Sequence, residues 1–127
     1  MARETMTSRA RIKRTLRRET VDRCPIDLGS HPSTGISAFA YVKLKQVLGL
    51  GGETEIWDLP QMLARVEIPV LERFHCDLIC LSPAPARFRS WQPREGYRFL
   101  IPENATPVRD QAGDWVLSQP GNGSMRM

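Results

Sequence analysis

The sequence predicts a mixed α/β fold, and three observations in its 127 residues carry that prediction. The run Cys76-Asp77-Leu78-Ile79-Cys80-Leu81-Ser82, closed by Pro83, is mostly apolar on both faces, as in a strand of a parallel sheet covered by helices. Ala38, Tyr41, Val42, Leu44 and Leu48 recur at intervals of three and four, which is helical spacing. From Trp91 onward the pattern changes to alternation, with Tyr97, Phe99 and Ile101, then Val108, then Trp115 and Leu117. Ten prolines and nine glycines, several of them between apolar stretches, fit many short elements joined by tight turns rather than a helical bundle.

Taken in order, Thr7 or Ser8 caps a first helix running to about Glu19, with Ala10, Ile12 and Leu16 as a narrow apolar stripe. Cys24-Pro25-Ile26-Asp27-Leu28 reads as a strand that enters a loop dense in turn formers, Gly29 to Gly35. The next helix starts near Ser37 and is stopped by Gly49, Gly51 and Gly52. Asp58 and Gln61 form a capping-box pattern for a short helix through Arg65. Pro69 opens another, with Val66, Val70, Leu71 and Phe74 on one side, leading into the Cys76–Ser82 strand. Gln111-Ala112-Gly113-Asp114 and Pro120-Gly121-Asn122-Gly123 are hairpin turn signals, so the end of the chain is a meander whose third strand is Ser124–Met127. The division expected is residues 1–90, a helix and the first β/α units, and residues 91–127, the meander.

A charged fraction of 25% with 41% hydrophobic residues is the profile of a globular domain and excludes disorder and collagen. No apolar run approaches the ~18 to 20 residues needed to span a bilayer, and the arginine-rich N-terminus has no signal-peptide core. The expectation is a cytoplasmic chain. Residues 1–23 hold eight basic and three acidic groups, against ten and eleven in the remainder, so the excess positive charge lies at one end. Arg9, Arg11, Lys13, Arg14, Arg17 and Arg18 could neutralise phosphates, but no aromatic is interleaved with them, and the reading adopted is a solvated helix face with neither nucleic acid nor membrane as partner.

Three cysteines without a secretory signal imply reduced, buried thiols. His75, Cys76 and Cys80 include soft zinc ligands, yet on a strand Cys76 and Cys80 stand about 13 Å apart at roughly 3.3 Å per residue, whereas sulfurs sharing one zinc lie within ~4.6 Å. No metal site is therefore assigned. The loop from Gly29 to Ser37 is the better candidate, because it follows a strand and enters a helix whose free amides can hold an anion. His31, Ser33, Thr34 and Gly35 are the expected binding residues, with Ser82 added as the end of the next strand; for each hydroxyl, capping or turn shaping is the alternative to ligand contact. No catalytic residue is assigned.

Met6-Thr7-Ser8-Arg9 with its helix, Asp22-Arg23-Cys24-Pro25-Ile26-Asp27-Leu28-Gly29 and Ser33-Thr34-Gly35-Ile36-Ser37 resemble, in order, the N-terminal part of the uroporphyrinogen decarboxylase-like superfamily. Asp58 to Arg65 and Leu71-Glu72-Arg73-Phe74-His75-Cys76-Asp77 continue the resemblance, and Gly113-Asp114-Trp115-Val116 with Met125-Arg126-Met127 resembles a β meander inserted early in those proteins. The resemblance implies an N-terminal fragment of a TIM (β/α)8 barrel with an inserted antiparallel meander, inactive alone, since such a barrel takes ~250 residues and draws its active site from the loops after several strands.

Two branches of that family differ in chemistry. True decarboxylases remove acetate carboxyls from a tetrapyrrole without a cofactor, using paired arginines after the first strand and a catalytic aspartate after a later one. Here no arginine lies between Arg23 and Arg65, and no acid lies between Leu78 and Arg94. Guanidinium forks are what a polycarboxylate needs, so the resemblance points instead to the corrinoid-dependent methyltransferase-like branch. There a zinc ion activates a small thiol acceptor and a partner protein carries the corrinoid; the zinc ligands of that branch lie downstream of Met127, and no cofactor is expected on this chain itself. A decarboxylase of tetrapyrrole biosynthesis is the alternative, and a non-enzymatic binding module using the basic helix is a second one.

Overall fold

The computed structural model describes residues 4–81, 87–119 and 123–127, and shows a mixed α/β chain with more residues in strands than in helices. In chain order the elements are α1 (Ser8–Leu16), a 3-10 turn (Pro32–Thr34), α2 (Ala38–Val47), β1 (Thr54–Asp58), β2 (Leu63–Ala64), α3 (Ile68–Arg73), β3 (Phe88–Arg94), β4 (Tyr97–Pro102), β5 (Pro107–Arg109), β6 (Trp115–Gln119) and β7 (Gly123–Arg126). They fall into two compact units. One joins Met1–Thr34 to Val66–Leu81, and the other joins Gly35–Arg65 to Ser82–Met127.

In the first unit, α1 begins where the Thr7 hydroxyl accepts the Ala10 amide at 3.2 Å, the expected cap. It ends at Leu16, short of Glu19, because Arg18 takes a left-handed backbone (φ 60°) that lets the Glu19 amide reach back to the Arg14 carbonyl. The expected stripe is also corrected. Leu16 is 80% exposed, and the residue α1 buries is Arg11, at 1%, for the electrostatic reason given below. Pro69 sits in the first turn of α3, which buries Val70 and Leu71 and leaves Phe74 partly exposed. His75 (φ 53°) closes α3 as Arg18 closes α1, with the Cys76 amide bonded to the Leu71 carbonyl.

Neither expected strand of this unit forms a ladder. Residues 24–28 and 76–81 exchange a single backbone bond, Asp77 N–H to the Ile26 carbonyl at 2.8 Å, and the Asp77 carboxylate instead of a carbonyl takes the Ile26 amide at 3.0 Å. A side chain thus stands where a neighbouring strand would pair, and Ile79 and Leu81 are exposed rather than buried on both faces.

The second unit contains the strands. β1 runs parallel to β4 and antiparallel to β2, and β3 pairs antiparallel with β4, giving the order β2-β1-β4-β3. α2 packs on β1 and β2, with Ala38 and Tyr41 buried, as are Ile56, Leu63, Ala64, Trp91, Phe99 and Ile101 on the strands. Phe39 meets the rings of Tyr97 and Phe99 edge-on at 5.0 and 5.2 Å, a favoured aromatic geometry. Of the meander expected over residues 91–127, β5-β6-β7 is present, antiparallel throughout, with Gly113 (φ 86°) in the first turn and the Asp110 carboxylate accepting the Ala112 and Asp114 amides, whereas β3 and β4 join the sheet of β1 and β2 instead. The second turn signal falls at Pro120 to Asn122, outside the described residues.

The expected Asp58–Arg65 helix is a reverse turn between β1 and β2. Asp58 does accept the Gln61 amide at 3.0 Å and the Gln61 side-chain amide at 3.3 Å, but Met62 then turns left-handed (φ 54°) and sends the chain back along β1. The capping-box bonds are real; what they cap is a turn. α2 starts as expected after Ser37, but the Ser37 hydroxyl makes no capping bond, since the Ala38 amide donates to the Met62 carbonyl at 2.7 Å.

Candidate functional site

The loop after residues 24–28 is held from below by a network of charges. The Arg11 guanidinium bonds both oxygens of Asp22 at 2.7 and 3.0 Å and also bonds Asp77. Arg23 reaches Asp77 at 2.6 Å, Glu4 at 2.9 Å and the His75 carbonyl at 2.8 Å. Glu4 in turn lies 3.2 Å from His75 Nδ1. Asp22 further accepts the Thr5 and Met6 amides at 2.7 and 2.9 Å. Arg11, at 1% exposure, is therefore buried with its charge matched by two carboxylates, the condition under which an arginine can leave water.

The titration behaviour follows from these contacts. The Arg11 guanidinium, helped by the Thr5 and Met6 amides, holds Asp22 well below the usual carboxylate range despite burial. Burial works to raise Asp77, but bonds from Arg23, the Ile26 amide, Ser8 and Arg11 outweigh it and bring the group down to about 2. Asp22 first and Asp77 second raise Arg11 above its ordinary value, and Asp77 first and Glu4 second raise Arg23. These acids are fixed as anions and do structural rather than proton-transfer chemistry.

Above this base the loop folds on Asp27. Its carboxylate accepts the Ser30 amide at 3.1 Å, the Ser30 hydroxyl at 2.6 Å and the Thr34 hydroxyl at 3.0 Å. The Gly29 amide donates to the Thr34 carbonyl at 2.9 Å, and the Thr34 amide to the His31 carbonyl at 3.0 Å. Gly29 is required twice over: its φ is +82°, and a Cβ there would stand 2.8 Å from Val66 Cγ2.

The structure thus brings three of the expected residues together. His31 and Ser33 are exposed, with Nδ1 and Oγ 3.0 Å apart, and Thr34 accepts the His31 amide at 3.3 Å. Gly35 is half-buried and begins the second unit, and Ser82 lies outside the described residues. The expectation that the α2 amides are unpaired is corrected at Ala38, whose amide is held by Met62. Sequence reasoning missed the parts of Arg11, read as one of a solvated helix face, and of Asp27, read only as part of a strand. The spacing Asp27-x-x-Ser30 was a usable signal, because an aspartate binding the amide and hydroxyl three residues on is a common turn device.

Comparison of the chain with protein-family models, with curated proteins and with solved structures returned no match.

The thiols differ from expectation. Cys24 is exposed and Cys76 and Cys80 are half-buried, all three unbridged. Burial, then the charges of Asp27 and Asp77, push the Cys76 thiol up. Among the described residues no group of three or more His, Cys, Asp or Glu is placed to hold a metal ion, and no helix is long and apolar enough to cross a membrane. The loop presents an imidazole and a hydroxyl on a turn bonded internally through Asp27, Gly29, Ser30 and Thr34.

Proposed function

We propose that this chain is the N-terminal part of a uroporphyrinogen decarboxylase-like protein, the start of a (β/α)8 barrel carrying an inserted meander. Its parent transfers a methyl group between a corrinoid on a partner protein and a small acceptor or donor. The ordered motifs support membership, and the network gives them a common purpose: Met6, Asp22, Arg23 and Asp77, drawn from three of those motifs, meet in it. The observation that carries the choice of branch is the state of Arg23. It is the last arginine before Arg65, and its guanidinium is occupied by Asp77, Glu4 and two backbone carbonyls. A loop meant for a substrate of many carboxylates would need a guanidinium to spare.

On this reading His31, Ser33, Thr34 and Gly35 contribute to the substrate site of the parent, and Ser82 is a further candidate. The zinc and corrinoid of the parent are held by other residues. The chain alone is inactive, because catalysis in a barrel draws on several strand ends. The test is an assay of the full-length parent with a methylated corrinoid and a small thiol, and separately with uroporphyrinogen. Methyl transfer by the parent, with neither reaction by the 127-residue chain, is the expected result. Decarboxylation of uroporphyrinogen by either one overturns the proposal.

A further inference from the structure

The imidazole of His31 is held in one tautomer. The Ser33 backbone amide points at His31 Nδ1 from 3.2 Å, and a backbone amide can only donate, so Nδ1 is the acceptor and the ring proton resides on Nε2. The Ser33 hydroxyl lies 3.0 Å from the same nitrogen. His31 is exposed, so the loop offers outward an Nε2–H donor.

What keeps the Ser33 amide in that place is the turn itself, and the turn is built on one side chain. Asp27 binds Ser30 through amide and hydroxyl and binds Thr34 through its hydroxyl, so both ends of the Ser30–Thr34 segment are fastened to one carboxylate. With its one proton directed to Asp27, the Thr34 hydroxyl oxygen then accepts the His31 amide at 3.3 Å. We propose that Asp27 is a positioning residue: through Ser30 and Thr34 it holds His31 as an Nε2–H donor for an oxygen acceptor, such as a carboxylate, on the small substrate. The recognition half of this proposal rests on the function proposed above; the positioning half rests on the hydrogen bonds alone.

Each half has its own measurement. In the purified chain, long-range proton–nitrogen correlation spectra report the tautomer of His31 directly, and hydrogen exchange reports the Gly29 amide bonded to Thr34. The wild type is expected to show the Nε2–H form with a protected Gly29 amide. Asp27→Ala should give mixed tautomers and at least about tenfold faster Gly29 exchange, a loss of ~1.4 kcal/mol of local protection. Asp27→Asn, which can still accept the Ser30 amide and donate to a hydroxyl, should restore both. Thr34→Val, nearly isosteric, should reproduce the tautomer change should Asp27→Ala fail to fold. An unchanged His31 tautomer in Asp27→Ala, or in Thr34→Val where Asp27→Ala fails to fold, overturns the positioning role. In the parent, KM is measured for 3-mercaptopropionate and for cysteamine, thiols that differ in carrying a carboxylate or an ammonium. Asp27→Ala and His31→Ala should raise KM for the first about tenfold more than for the second. Equal effects on both thiols overturn the recognition role. A parent with no methyl transfer at all refutes the proposed function instead, while the spectra still decide the positioning.

Discussion

The two units solve the problem of staying folded with different chemistry. In the first, the largest fully buried side chain is Arg11, and the segments around it are tied by two carboxylates and two guanidinium groups. In the second, burial is mostly apolar and aromatic, with Lys45 and Thr54 the exceptions among the described residues: Tyr41, Ile56, Phe99 and Ile101 are sealed from water, and Trp91 meets Trp115 edge-on at 5.0 Å. Apolar burial is non-directional and insensitive to pH, whereas a buried ion network is strong only while every member is charged. The difference teaches that charge patterning at the N-terminus of this chain is not only a surface property. Some of it is core.

Truncation should show the contrast at its largest. Phe99→Ala, in the second unit, removes a fully buried ring and should cost about 3–5 kcal/mol by chemical denaturation. Asp77→Ala, in the first, leaves Arg11 and Arg23 without a shared anion and should cost about 3 kcal/mol or more, although it removes little apolar surface. A cost near zero for Asp77→Ala would break the comparison.

Acid should separate the units. Asp77 titrates at about 2 when folded, against ~3.9 for an aspartate in an unfolded chain. The unfolded state therefore binds more protons across this window, so the stabilisation is complete above about pH 5 and disappears as pH falls toward 2. Asp22, also lowered, adds to the same loss. Stability measured from pH 6 to 2.5 should fall in the wild type and fall less in Asp77→Asn, which has already lost that charge.

Backbone changes give smaller effects. Gly29→Ala puts a methyl against Val66 at a positive φ and should cost about 2 kcal/mol in thermal melts. Arg18→Gly relieves a left-handed arginine on an exposed turn and should gain about 1 kcal/mol, the smallest effect and the only favourable one.

The same contrast explains what the sequence made legible. The alternation of Tyr97, Phe99 and Ile101 and the turn at Gln111–Asp114 are local signals, and the strand β4 and the β5–β6 hairpin they predict are there. β1 was legible in principle, since Thr54 and Ile56 are buried with Glu55 between them, but the Asp58–Gln61 pattern competed with it and suggested a helix. Local patterns do not say whether a cap precedes a helix or a turn. In the first unit the deciding contacts join residues up to 66 positions apart, as Arg11 to Asp77, and nothing in a window around Arg11 distinguishes it from Arg9 or Arg14. The site was legible as a loop, from Gly29, His31, Ser33 and Thr34. Its organising residue, Asp27, was legible only in part: Asp27-x-x-Ser30 is a turn spacing, but nothing in it shows that the same carboxylate also takes the Thr34 hydroxyl.

The claim that a charge network holds the first unit and apolar packing the second is tested most directly by an amide-resolved acid titration of the full chain. Backbone resonances are followed from pH 6 to 2.5. The account predicts that the amides of Thr5, Met6, Ile26 and Asp77 lose their folded positions as the pH approaches 2.5, while those of β3 and β4 keep theirs. Loss of both sets at one midpoint, or of β3 and β4 first, would contradict it.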